Sequence, residues 1–232
     1  MTIGVAARTD ESIICTVRWR TSSHTPALPA VSQVFSRLGA PTILGGNQAK
    51  VDADRFSYWA AEPREVFEFH DGDQDPFGKL QKALGKYSLR KNQPEQPHGM
   101  FIGGWIGYFS YELGRYIDKL PATTIDDIGM PLVQICFHDR FIAYDHGEGV
   151  FHLVALGLPE DSQTAEQKLD GLEKLLADAQ SIELLPPAAA DLDEVDFSAI
   201  RCNMTKDYFL RMFEKVRRHI YDGDVYQINF SQ

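Results

Sequence analysis

The sequence has few of the features that assign a chain to a specialised class of protein. Its three cysteines, Cys15, Cys136 and Cys202, are far apart and form no C-x-x-C, which excludes a disulfide framework or a cysteine metal site. No apolar run approaches the length of a membrane span, and the first twenty residues lack a signal peptide. Basic residues are scarce, and a net charge of −10 argues against nucleic-acid binding. We expect a soluble cytoplasmic protein.

Phosphate-binding glycine motifs are also missing, although residues 103–116 read GGWIGYFSYELGRY. The spacing matches neither G-x-G-x-x-G nor G-x-x-x-x-G-K-[ST], and the neighbours are large rings. We interpret the glycines as sites of tight turns and close backbone approach, and a ligand contact is the alternative. We expect core packing by the rings of four residues, Trp105, Tyr108, Phe109 and Tyr111. Glu112 and Arg115, at i and i+3, are expected to form an ion pair on a short helix.

What the sequence does contain is an alternation of short strands and separate helices. Spacing predicts helices over residues 29–38, 76–87, 162–180 and 205–222, and strands over 42–46, 55–62, 65–70, 132–145 and 150–157. The stretch LLPPAAADLDEVD, rich in proline, alanine and acid, predicts a linker. We therefore expect a domain over residues 1–185, a linker over 186–200, and a second segment over 201–232.

The last residues, DVYQINFSQ, predict a strand with one polar face. Gln227, Asn229 and Ser231 alternate with apolar residues, and buried polar groups need partners. This face either lines a substrate cleft or bonds neighbouring strands. Because the strand ends without a cap, we expect the sequence to be part of a longer one.

Two segments carry a resemblance to a known family: GGWIGYFSYELGRYIDKLP and NMTKDYFLRMFEKVRRHIYDGDVYQINFSQ. Both are similar to component I of the chorismate-utilising enzymes, and DRFSYWAAEP lies at the family's Arg-aromatic stretch. The form of the first motif and the ending GDVYQINFSQ resemble the aminodeoxychorismate branch more than the anthranilate branch. The resemblance runs from about Leu28 to Gln232 and implies an α+β fold of two stacked antiparallel sheets with flanking helices. It also implies that residues 1–185 are the N-terminal domain of component I of anthranilate synthase-like enzymes, and that residues 201–232 are the first helix and strand of a truncated chorismate-binding domain.

The resemblance also implies an activity. Members of the aminodeoxychorismate branch aminate chorismate at C4, using Mg²⁺ and ammonia from a glutamine amidotransferase subunit or fused domain, and their product leads to 4-aminobenzoate and folate. The catalytic and metal-binding motifs of the family have no match in these residues. We therefore expect no catalytic residue and no metal ligand here, and no activity from this chain alone.

A tryptophan pocket is a further feature that the resemblance implies. In the family it draws on an L-L-E-S-like strand and on the Arg-aromatic segment, and here the strand reads ILGG, with Gly45 and Gly46 in place of the two polar residues. Losing two polar partners weakens binding. We expect a vestigial pocket with Arg55 and Phe56 retained for structure, and a surface or inter-sheet ion pair of Arg55 is the structural alternative.

Two alternatives to the aminodeoxychorismate assignment remain open. One is component I of anthranilate synthase, which aminates chorismate at a different carbon. The other is a naturally short, non-catalytic binding or subunit-contact domain.

Overall fold

The computed structural model describes residues 13–20, 26–45, 55–87, 97–121, 126–184 and 201–231. The chain divides into two compact units, Met1–Leu184 and Leu185–Gln232. The predicted linker over 186–200 lies outside the described residues. Within the described part, no helix has the length and apolar character needed to cross a membrane. The strands of the first unit are β1 (Ile14–Arg20), β2 (Thr42–Leu44), β3 (Phe56–Ala60), β4 (Glu65–Phe69), β5 (Gly104–Phe109), β6 (Val133–His138), β7 (Arg140–Asp145) and β8 (Val150–Gly157).

The strands form two antiparallel sheets. The larger sheet has the order β1-β8-β7-β3-β2, and the smaller has the order β4-β6-β5. A core of large side chains lies between them, including Phe137 and Trp105 from the smaller sheet and Phe141 and Leu156 from the larger. Helices cover the opposite face of the larger sheet. This architecture confirms the expected α+β fold with two antiparallel sheets.

Three helices belong to the first unit: α1 (Leu28–Phe35), α2 (Pro76–Leu84) and α3 (Ala165–Gln180). The start of α3 follows from a capping box, in which Thr164 accepts from the Gln167 amide and the Gln167 side chain accepts from the Thr164 amide. Its apolar stripe packs with α1 against the larger sheet. The predicted end of α1 at residue 38 is wrong, because the last turn tightens into i→i+3 bonds and the helix ends at Phe35.

The predicted strand over 132–145 is two strands in different sheets. β6 ends at His138 in the smaller sheet, Asp139 is the single residue between the strands, and β7 begins at Arg140 in the larger sheet. Three successive polar residues, His138, Asp139 and Arg140, interrupt the β-rich run at this point, but the interruption alone does not reveal a change of sheet. Strands β7 and β8, which follow each other across HGEG, pair as an antiparallel hairpin. Strand β1, which pairs with β8, was not predicted.

The glycines of residues 103–116 have the role expected of them. Gly103 and Gly104 adopt φ of 124° and 131°, a region that favours glycine. A Cβ on Gly107 would lie 2.0 Å from the Gln134 carbonyl oxygen of β6, so only glycine permits the approach of β5 to β6.

The aromatic residues of the same segment only partly follow the prediction. Trp105 and Tyr108 are half-buried, whereas Phe109 and Tyr111 are 57% and 92% exposed, so their assignment to the core is wrong. Phe109 ends an edge strand, and no described element covers it or Tyr111. The ion pair predicted on a short helix is confirmed, since Arg115 Nε lies 3.2 Å from Glu112 Oε2 in the 3₁₀ helix Tyr111–Tyr116.

The second unit contains α4 (Lys206–Tyr221). Thr205 caps it by accepting from the Tyr208 amide, and Gly223 follows its end at φ 79°, as predicted. None of the side chains of α4 is buried, although the helix has a regular apolar face.

Candidate functional site

Arg55 and Asp145 form an ion pair at one end of the larger sheet. Arg55 directly precedes β3, and Asp145 ends β7 opposite Phe56. Arg55 Nε donates to both carboxylate oxygens at 3.0 Å, and Nη2 donates to Oδ2 at 2.5 Å. The Asp145 side chain is 1% exposed and that of Arg55 is 30% exposed. Arg55 therefore forms an ion pair, but its partner is a buried carboxylate of the same sheet and not a surface group or a group of the other sheet.

Asp145 also organises the turn that follows β7. Its Oδ1 accepts from the amides of Gly147 and Glu148 at 2.9 and 3.2 Å. Burial opposes ionisation of this carboxyl, but the hydrogen bonds from Arg55 and the two amides outweigh burial and hold its pKa below the ordinary value. The carboxylate is thus charged and fully engaged by groups of its own chain.

Aromatic rings border the ion pair on the inner face of the sheet. The guanidinium carbon of Arg55 lies 5.1 Å from the centre of the Phe56 ring. Next along β3, the Tyr58 hydroxyl accepts from the Phe101 amide at 3.1 Å. These contacts hold Arg55 and Phe56 in place at the end of the sheet.

Gly45 lies next to this region but contributes no side chain. It follows β2, in which Leu44 is paired with Tyr58 of β3. A Cβ on Gly45 would meet nothing within 4 Å, so the position is open to solvent and holds no ligand group. Gly46, the other residue of the predicted vestigial pocket, lies outside the described residues. The tryptophan pocket stays a prediction.

His152 is a polar residue of this region that the sequence analysis missed. It lies on β8 opposite Ala143, and its Nδ1 is buried with no hydrogen-bond partner among the described residues. Burial lowers its pKa, against the opposing influence of the Asp145 charge. As the one polar residue in the apolar run VFHLVALG, it was a signal available in the sequence. The role of Asp145 could not be predicted from the sequence pattern, because its partner Arg55 is ninety residues away in the chain.

The predicted polar strand of the second unit has a different conformation. Residues 224–231 form no strand and pair with no other strand within the described residues. An isolated strand leaves its amides and carbonyls without ladder partners, so the alternation of side chains alone does not produce one. Gln227, Asn229 and Ser231 are exposed, and Gln227 Nε2 donates to Asn229 Oδ1 at 3.1 Å. Their role in a cleft stays a prediction.

The described residues do not fit a Mg²⁺ site. A site for this ion needs several oxygen ligands, including carboxylates, in close array. Among the residues that the structure covers, no group of three His, Cys, Asp or Glu side chains is placed to hold a metal ion. The buried carboxylate of Asp145 is already bonded to Arg55 and two amides.

Sequence comparison places the chain in a family. The model of the chorismate binding enzyme family matches residues 47–232, which is most of the chain. The chain therefore belongs to the chorismate-binding enzymes, and the resemblance inferred from its two long motifs is confirmed.

Among its curated relatives are enzymes of both branches. Aminodeoxychorismate synthase component 1 of Bacillus subtilis is 33% identical over 56% of this chain and 27% of that protein. Its counterpart from Klebsiella aerogenes is 28% identical over 77% of this chain and 38% of that protein. Anthranilate synthase component 1 of Acetivibrio thermocellus is 27% identical over 68% of this chain and 32% of that protein. The chain thus spans well under half the length of these relatives.

A solved structure has the same fold. Anthranilate synthase component I from Streptococcus pneumoniae TIGR4 superposes with a TM-score of 0.51 at 22% identity, covering 76% of this chain and 40% of that one. At this identity the likeness establishes the fold alone.

Proposed function

We propose that this chain is the N-terminal portion of component I of an aminodeoxychorismate synthase. The complete enzyme replaces the C4 hydroxyl of chorismate with an amino group, and a glutamine amidotransferase partner supplies the ammonia. The product then leads to 4-aminobenzoate and folate. The observation that carries the proposal is the family match over residues 47–232, joined to the 33% identity with the Bacillus subtilis component 1.

In this proposal the chain supplies scaffold rather than catalytic groups. The charged pair that lies nearest to the predicted ligand region, Arg55 and Asp145, is satisfied internally. The chemistry and the Mg²⁺ ion belong to parts of the longer relatives that these residues do not match. The 232-residue chain is therefore expected to be inactive alone.

Component I of anthranilate synthase is the second candidate. It is supported by the Acetivibrio thermocellus relative, whose match covers 68% of this chain. The two candidates differ in the carbon that is aminated, so the product distinguishes them.

The test begins with the coding DNA beyond codon 232. If the frame continues, the complete protein is assayed with chorismate, Mg²⁺ and either ammonium or glutamine with a glutaminase subunit. The product expected is 4-amino-4-deoxychorismate, identified by mass and chromatography against an anthranilate standard. The 232-residue chain is the control and is expected to give neither product. A stop after codon 232, or anthranilate as the product, would overturn the proposal.

A further inference from the structure

Four charged side chains meet where the chain passes from the smaller sheet to the larger. Asp139 is the residue between β6 and β7, and Arg64 directly precedes β4 of the smaller sheet. Asp161 follows β8 of the larger sheet, and Lys168 lies on α3. We call this group, Arg64, Asp139, Asp161 and Lys168, the crossing cluster.

Lys168 is the centre of the crossing cluster and is fully buried, with its side chain 2% exposed. Its ammonium donates to Asp139 Oδ2 at 2.8 Å, to Asp161 Oδ2 at 2.6 Å and to the Leu156 carbonyl at 2.7 Å. All three donors of the ammonium are therefore used. Both carboxylates are also buried, at 5% and 7% exposed.

Arg64 connects the same carboxylates to the smaller sheet. Its guanidinium donates to Asp161 Oδ1 and lies 3.8 Å from Asp139 Oδ2. Its backbone amide donates to the Phe137 carbonyl of β6 at 2.9 Å. The Asp139 carbonyl accepts from the Leu156 amide of β8 at 2.7 Å. The crossing cluster thus joins β4, the β6–β7 crossing, β8 and α3.

Much of the contact between the two sheets is otherwise apolar, although His138 of β6 also hydrogen-bonds Thr42 of β2, with Nε2 2.9 Å from Oγ1. Burial of rings such as Phe137 and Phe141 is favourable but non-directional, so it tolerates small shifts of one sheet over the other. Buried ion pairs contribute little net stability, yet their geometry is strict and loss of one partner is costly. The crossing cluster therefore adds little net stability, but its strict geometry can select one position of the smaller sheet over the larger sheet.

We propose that the crossing cluster is a registration lock, which fixes the smaller sheet against the larger sheet and α3. Without the Lys168 ammonium, Asp139 and Asp161 are buried carboxylates held by the side chains of Arg64 and Arg140 and by the Leu158 amide. The smaller sheet then separates from the larger at a lower free energy than global unfolding. The larger sheet keeps its order, because α1 and α3 cover its other face through an apolar core of their own.

The chain offers a matched control on the same helix. Arg18 of β1 bonds three acids of α3, Glu166, Asp170 and Glu173, and two of these are more than 60% exposed. This group has the same kinds of charge and the same helix as the crossing cluster, but solvent screens it. Replacing Arg18 therefore removes an ion-pair network of α3 without placing a bare charge in the interior.

The experiment is hydrogen exchange of the 232-residue chain followed by mass spectrometry. Peptides covering β4 and β5 report on the smaller sheet, and peptides covering β8 report on the larger. In Lys168→Met, exchange of β4 and β5 is expected to accelerate by about 100-fold or more relative to β8, as removal of a buried ion-pair partner implies. In Arg18→Met, the ratio between the two sheets is expected to stay as in the unaltered chain.

Equal acceleration of both sheets in Lys168→Met, or no acceleration, would show that the crossing cluster is not a registration lock. If Lys168→Met does not fold, Asp161→Asn replaces it, since that change keeps the ammonium bonded to Asp139 and the Leu156 carbonyl. The same selective loss of protection in β4 and β5 supports the proposal, and a uniform loss or none overturns it.

Discussion

Alanine in place of Gly107 is expected to weaken the first unit by forcing β5 away from β6. The added Cβ would lie 2.0 Å from the Gln134 carbonyl oxygen and 2.6 Å from the Ile135 Cα. Both are backbone atoms, so the methyl group cannot be accommodated by turning a side chain. The strands would have to separate by more than an ångström to restore an ordinary contact.

The magnitude follows from what that separation disturbs. Overpacking of a well-fitted site costs about 1–3 kcal/mol. Each hydrogen bond weakened between β5 and β6 adds about 1 kcal/mol. Alanine restricts the unfolded chain and returns only about 0.4–1 kcal/mol. The free energy of unfolding is therefore expected to fall by about 2–4 kcal/mol.

Urea unfolding followed by tryptophan fluorescence measures this change, and the midpoint is expected to fall by about 1 M or more. Gly171→Ala is the control, because Gly171 is exposed on α3 and a Cβ there meets nothing within 4 Å. That change is expected to stabilise by about 0.5–1 kcal/mol, since glycine is a poor helix former. If Gly107→Ala unfolds at the same midpoint as the unaltered chain or a higher one, the close approach does not explain this glycine.

Three further predictions concern titration, ligand binding and the ion pair. Burial lowers the pKa of His138 to about 4 from an ordinary 6.5, so the unfolded chain binds a proton that the folded chain does not between these values. Stability is therefore expected to fall by up to about 3 kcal/mol as pH falls through this window, and His138→Gln is expected to show a shallower fall of the urea midpoint; equal slopes would exclude His138 as the cause. Calorimetry is expected to detect no tryptophan binding, and Gly45→Glu with Gly46→Ser is expected to restore it if the two glycines are the reason; binding by the unaltered chain would contradict the prediction. Arg55→Met is expected to destabilise by about 2–4 kcal/mol, because it leaves Asp145 buried without its cation, and an unchanged midpoint would mean that the backbone amides alone suffice.

The features that the sequence predicted well are those set by neighbours along the chain. Helix α3 was predicted because apolar residues recur three or four positions apart between residues 162 and 180. The turn that joins β7 to β8 is readable because HGEG interrupts two β-rich runs. The sequence also predicted that a glycine in this segment allows a close backbone approach. It did not predict that the approach is between Gly107 and the backbone of β6.

The features that were missed depend on residues far apart in the sequence. At the change of sheet, Asp139 bonds Lys168, which is 29 residues later in the sequence. Apolar character indicates that Phe109 and Tyr111 favour burial, but it does not supply an element to cover them. In the candidate site, Arg55 and Phe56 came from the resemblance, whereas Asp145 and His152 required the pairing of β3, β7 and β8.

The ion pair of Arg55 bears on whether this region senses a ligand. An anionic group of a small molecule that sought the guanidinium would compete with Asp145, whose carboxylate is already bonded to Nε and Nη2. Displacing Asp145 would leave a buried charge held only by the amides of Gly147 and Glu148, and the ligand's binding energy would have to offset that cost. Gly45 provides no polar group in compensation. The ion pair therefore stabilises this end of the larger sheet, and a ligand-binding role for Arg55 stays a prediction.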